Sequence, residues 1–229
     1  MSTALKLVVF DMDGTLIDSQ ALILFAMRAA FVSHDLEPPS DAETLSIVGL
    51  SLPRAIEELR PGLSQAANAA LVDGYKTAFV AQRAASGGEA SVPLYPGIRA
   101  LLDRLAQDET MLLGVATGKA RRGLDHVYAA HDLERYFVTS QTADFHPSKP
   151  HPAMLEHCLA ETGVDPRDAV MIGDTSFDME MGRAAGFGTV GVSWGYHPVR
   201  RLEDAGAHHV VHRAEEIDAA ISKLLEGVT

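Results

Sequence analysis

The chain has 229 residues, 47% of them hydrophobic, enough for one large core or a core with an insertion. Its formal charge of −12 argues against a nucleic-acid backbone as partner, because that affinity needs clustered cations, although a small anion can still bind at a locally basic pocket. One cysteine, Cys158, excludes an internal disulfide, and no apolar run is long enough to span a bilayer.

The N-terminus lacks a charged region followed by a signal-type hydrophobic stretch, so a cytoplasmic protein without membrane attachment is expected. Leu5, Leu7, Val8, Val9 and Phe10 then form a β-favouring run, the pattern of a strand buried on both faces of a parallel sheet. Asp11, Asp13 and Gly14 follow at its carboxyl end, where open α/β sheets bind ligands. Two carboxylates one residue apart repel each other unless a cation or a shared proton holds them. The alternative is a pair of solvated turn residues.

After Leu16 the apolar spacing changes to mostly three and four: Leu22, Leu24, Phe25, Met27 and Phe31, then Ile56, Leu59, Leu71, Tyr75 and Phe79. Pro38-Pro39, Ser51 to Pro53 and Pro61-Gly62 divide this helical insertion, and Ser86-Gly87-Gly88 with Pro93 and Pro96 reads as its return linker. The expected division is a core of residues 1–17 and 94–229 with a helical cap at 18–93. From Pro96 onward helices and strands alternate. Strands are expected at Met111–Ala116, Phe137–Ser140, Ala169–Ile172, Thr189–Val192 and His209–Val211. Helices are expected at Gly97–Gln107, Ala120–Ala130, Ala153–Thr162, Phe177–Ala185 and Ala214–Leu225. The fold class is therefore α/β, a Rossmann-like parallel sheet with helices on both faces plus an inserted all-helical cap. Cys158, among Met154, Leu155 and Leu159, is expected to be a buried apolar filler, a reactive thiol being the alternative.

Three later strand ends carry polar residues. Thr117-Gly118-Lys119 brings a hydroxyl, a glycine and a helix N-terminus together, which favours an anion; Thr117 as a simple helix cap is the alternative. Lys149 lies in His146-Pro147-Ser148-Lys149-Pro150-His151-Pro152, where prolines stiffen the backbone that presents it; a solvated surface lysine is the alternative. His146, His151, His208, His209 and His212 match no metal-site spacing and are read as loop residues. Asp174 and Asp178 lie four apart across an expected helix start, as N-cap and first-turn charge or as partners of Asp11 and Asp13 in a set of hard oxygen ligands. Such a set suits Mg²⁺ better than zinc.

Asp11-Met12-Asp13-Gly14-Thr15-Leu16, Thr117-Gly118, Lys149-Pro150 and Gly173-Asp174-x-x-x-Asp178, in that order, resemble the motifs of the haloacid dehalogenase-like phosphohydrolases, more narrowly the phosphoglycolate phosphatase group. The resemblance covers essentially the whole chain, helical cap included. It implies that Asp11 is the nucleophile that becomes an aspartyl phosphate. Asp13 would be the acid that protonates the leaving alcohol and then activates water, which requires different environments for two neighbouring carboxyls. Thr117, Gly118 and Lys149 would hold the phosphate. Mg²⁺ would be bound by Asp11, the main-chain carbonyl of Asp13 and Asp174, with Asp178 supporting it. Ala153 departs from the acidic residue that many relatives carry, with no expected effect on the chemistry.

Arg54, after the Gly49 to Pro53 turn, resembles a cap position that reaches a substrate anion; a solvated helix charge is the alternative. Trp194-Gly195-Tyr196 resembles a phosphoglycolate phosphatase segment, its alternative being ordinary aromatic packing or a subunit contact. The activity implied is Mg²⁺-dependent hydrolysis of a small phosphorylated metabolite, with 2-phosphoglycolate favoured, by a monomer or homodimer. A phosphomutase and a non-catalytic Mg²⁺-binding regulatory module are the other readings.

Overall fold

A computed structural model describes residues 4–87 and 92–226; Gly88 of the expected return linker lies outside the described residues. Six strands form one sheet: β1 (Lys6–Phe10), β2 (Met111–Thr117), β3 (Phe137–Thr142), β4 (Ala169–Gly173), β5 (Gly188–Val192) and β6 (His209–Val211). They run parallel in the order β3-β2-β1-β4-β5-β6. β1 is central, with Phe10 opposite Val115 on one side and Ile172 on the other. Chain order reverses across β1, and such a switch opens a crevice at the carboxyl ends of the strands.

Alternation along β1 sends Val8 and Phe10 to one face, against Ile98, Leu101, Leu102 and Ile221, while Leu7 and Val9 meet Met154, Leu155, Cys158 and Met181 on the other. Burial on both faces is why the strand reads as an unbroken apolar run. The covering helices are α5 (Ile98–Leu105), α6 (Arg121–His131), α7 (Ala153–Thr162), α8 (Ser176–Ala184), α9 (Val199–Asp204) and α10 (Ile217–Glu226), these labels following four earlier helices in the chain. α9 is absent from the sequence reading; it has six residues and one buried side chain, Leu202, too little for a helical period to register. The closing helix begins at Ile217, after a 3-10 turn over Ala214–Glu216.

Between β1 and β2 the chain forms α1 (Gln20–Val32), α2 (Asp41–Ser46), α3 (Leu52–Leu59) and α4 (Gln65–Ala85). Serine starts the last three: Ser40 and Ser64 accept amide hydrogen bonds as N-caps, and Ser51 precedes a helix with Pro53 in its first turn. This unit has its own core of Met27, Phe31, Ile56 and Leu71. Its ends meet in a short neck: the Asp18 amide donates to Pro93 O at 2.9 Å and the Tyr95 amide to Leu16 O at 3.0 Å. Among the described residues no helix is long and apolar enough to cross a membrane.

Candidate active site

β1 delivers Asp11 to the crevice and Gly14, with φ of 87°, turns the chain away. A Cβ on Gly14 would stand 2.2 Å from Oδ2 of Asp174, so this glycine is also what lets the end of β4 close on the end of β1. Asp174 accepts hydrogen bonds from Thr15 Oγ1 at 2.9 Å and from the Tyr196 amide at 2.8 Å. Trp194 donates from Nε1 to Thr15 O, and Tyr196 OH meets Ser19 Oγ at 3.1 Å. The Trp194-Gly195-Tyr196 segment thus packs against Asp174 and the loop that follows β1, with Trp194 also set against Tyr95.

α8 begins at a capping box in which Thr175, rather than Asp174, is the N-cap and Asp178 is the third helical residue. Asp178 Oδ2 serves that box, and its Oδ1 accepts from Lys149 Nζ at 2.7 Å. Lys149 donates a second hydrogen bond to Asp11 Oδ1 at 2.6 Å, and its side chain is 0% exposed, which removes the surface-lysine alternative.

Asp11, Asp174 and Asp178 place carboxylate oxygens within 4.8 Å of one another, all buried. Burial pushes Asp11 up to about 7, with Lys149 opposing and Asp178 adding to the rise. Burial, Asp11 and Asp178 likewise hold Asp174 well above the usual carboxylate range. Burial works against the charge on Lys149, yet Asp11 and Asp178 together keep its pKa above the ordinary value. Three carboxylates around one ammonium repel unless protons or a further cation intervene. An all-oxygen donor set of this kind fits a hard divalent cation. Among the described residues no histidine joins such a group; His146, His208 and His212 bond to Gln141, Thr189 and Ser193.

Asp13 faces a different environment. Ser19 Oγ donates to its Oδ1 at 2.6 Å, and Lys119 Nζ lies 3.0 Å from its Oδ2. Neither Ser19 nor Lys119 is singled out by sequence, since a contact made only by folding leaves no local pattern. Thr117 is buried at the end of β2; its Oγ1 accepts from the Lys119 amide, and the helix N-cap is Ala120 instead. A Cβ on Gly118 would come within 2.4 Å of Gly49 O, so the helical unit rests directly on this loop.

Above these residues is a cavity of about 590 Å³, lined by Asp11, Asp13, Thr117, Gly118 and Lys119 on the sheet side and by Met27, Leu50, Tyr75 and Phe79 on the helical side. Arg54 is not brought there. It ion-pairs with Glu57 and Glu58 on its own helix, 51% exposed, which is the solvated-charge alternative.

His197 joins the two parts. Its Nδ1 accepts from the Ser176 amide, and Nε2 donates to Ser46 O at 3.1 Å, so the ring is neutral. Burial, and secondarily Arg201, lower its pKa from 6.5 to about 4. The unfolded chain therefore takes up this proton first, and stability present above pH 6.5 is lost as pH falls toward 4. That loss is about 3 kcal/mol over the interval. Denaturant unfolding at pH 7.5 and 4.5 should show His197→Gln missing a loss of that size relative to the native chain; parallel pH profiles would contradict the assignment.

The sequence profile of haloacid dehalogenase-like hydrolases matches residues 8–192. A protein named "Probable phosphatase IndB" from Dickeya dadantii (strain 3937) is 31% identical over 226 residues, covering 96% of this chain and 95% of that one. A phosphoglycolate phosphatase from Haemophilus influenzae is 28% identical over 207 residues, 87% of this chain and 92% of its own. The crystal structure of a predicted phosphatase from Clostridium acetobutylicum superposes with a TM-score of 0.81 at 26% identity, covering 98% of this chain and 100% of that one.

Proposed function

Since the chain belongs to the haloacid dehalogenase-like hydrolases, we propose that it is a Mg²⁺-dependent phosphatase of small phosphomonoesters that works through an aspartyl phosphate on Asp11. One observation carries the reading: Lys149, Asp174 and Asp178 converge on Asp11, which with Asp13 and Thr117 lines the cavity.

Lys149 engages Oδ1 of Asp11, leaving Oδ2 to attack phosphorus. The new O–P bond forms as the bond to the alcohol breaks, and the leaving oxygen takes its proton from Asp13. Asp13 then removes a proton from water, which attacks the aspartyl phosphate, releasing inorganic phosphate and restoring Asp11. An ammonium has three N–H donors; two go to Asp11 and Asp178, and the third, with the Thr117 hydroxyl and the Gly118 amide, holds phosphate oxygens. Asp11, the main-chain carbonyl of Asp13, Asp174 and Asp178 would hold Mg²⁺, which supplies charge to offset the repulsion between carboxylate and phosphate. Residues 18–93 act as the cap that excludes water. The motif set and the Haemophilus relative support 2-phosphoglycolate as substrate.

A panel of phosphate esters assayed with Mg²⁺ and again with EDTA tests this. Phosphate release from 2-phosphoglycolate that disappears with EDTA is expected; no release from any ester in Mg²⁺ would overturn the reading. Mg²⁺ should also raise the Tm of the native chain and leave that of Asp174→Asn unmoved.

A further inference from the structure

We propose that Lys119 is a specificity-determining residue that binds a negative group on the leaving alcohol, so that the substrates are phosphomonoesters carrying a second anion close to the ester oxygen. The proposal rests on the phosphatase reading above. Lys119 Nζ lies 3.0 Å from Asp13 Oδ2, with both side chains 13% exposed and both lining the cavity. A leaving oxygen that takes a proton from Asp13 must come within hydrogen-bond distance of it. A carboxylate or phosphate one carbon beyond that oxygen then lies within reach of Nζ.

Lys119 is held for this task. Its aliphatic stem packs over Gly123, where a Cβ would come within 2.8 Å of Lys119 Cγ, and its ammonium lies 5.4 Å from the centre of the Phe79 ring on α4. Lys149, the fully buried lysine of the site, is committed to Asp11 and Asp178. Lys76 and Arg122 also line the cavity, and among the described residues neither has an ion-pair partner. A chain of net charge −12 thus turns cations toward its own cavity. An anionic leaving group draws the Lys119 ammonium from Asp13 onto itself; a neutral one has nothing to offer in exchange.

The test compares 2-phosphoglycolate and inorganic pyrophosphate with 2-hydroxyethyl phosphate, whose leaving group is neutral, on the native chain, Lys119→Met and Lys119→Arg. Loss of a charge-assisted hydrogen bond predicts that Lys119→Met lowers kcat/KM for the anionic substrates on the order of 30-fold more than for the neutral ester, mainly through KM. Lys119→Arg should recover part of that difference. A response to phosphoglycolate alone assigns a carboxylate, and to pyrophosphate alone a phosphate. Equal falls for all three, or none, overturn the proposal.

Calorimetric titration of the same compounds into Asp11→Asn, with and without Lys119→Met, needs no turnover. Tighter binding of the anionic compounds that vanishes with Lys119→Met supports the proposal. One Kd for all three, whatever residue 119 is, defeats it even where the phosphatase reading has failed by itself.

Discussion

Asp11→Asn is expected to abolish phosphate release, by at least about 10⁴-fold, because an amide of the same shape has no oxygen able to form the acyl phosphate. The pH dependence of stability should change with it. Burial raises the Asp11 pKa from 3.8 to about 7, with Lys149 opposing and Asp178 adding to the rise. A carboxyl raised in this way favours folding when protonated, and it costs stability progressively as pH rises from about 4 to 7. Asparagine removes that pH-dependent cost, but it also removes the carboxylate that pairs with Lys149 at 2.6 Å. The stability of the variant relative to the native chain should therefore improve between pH 5 and pH 8. Thermal or denaturant unfolding in EDTA at the two pH values, alongside a phosphate-release assay, checks both halves. Near-normal turnover would remove Asp11 as nucleophile, and a stability difference that does not change with pH would contradict the electrostatic account.

Lys149→Ala should lose both turnover and stability. Its ammonium is the charge closest to both Asp11 and Asp178, at 2.6 and 2.7 Å. Removing one partner of a buried pair costs about 3–5 kcal/mol, largest at alkaline pH where the carboxyls cannot relieve the imbalance by taking up protons. Turnover should fall about 10³-fold, since the phosphate loses its fixed cation while the nucleophile loses its orienting partner. Added Mg²⁺ should recover part of the stability but not the rate. Unfolding curves with and without Mg²⁺ and single-substrate kinetics measure the two effects, and a native rate would take Lys149 out of phosphate binding.

The parts of this molecule legible in the sequence are those where local pattern and tertiary role coincide. β1 is buried on both faces, so its apolar run could be read directly, and the polar residues that end β1, β2 and β4 stood out against such runs. The helix Ala153–Thr162 and the strand His209–Val211 have the expected limits. Residues whose role is created only by folding were not legible. Ser19 and Lys119 gain meaning from Asp13, and His197 from Ser46 and Ser176. Arg54 shows the reverse case: near a turn its charge invites a substrate, but the solvated-charge alternative holds, because Glu57 and Glu58 stand one helical turn away and satisfy it on the surface. Asp178 has the first-turn place its spacing suggested, and it adds a contact that no spacing foretold: one carboxylate oxygen completes the helix cap while the other accepts from Lys149.

The polypeptide leaves the sheet unit at Leu16–Asp18 and returns at Pro93–Tyr95, and the outgoing and incoming backbones are hydrogen-bonded to each other there. Departure and return share a single junction, so the strands keep their register whatever length of chain is spliced between them. The inserted module can therefore be exchanged at that seam without disturbing the strand ends beneath it.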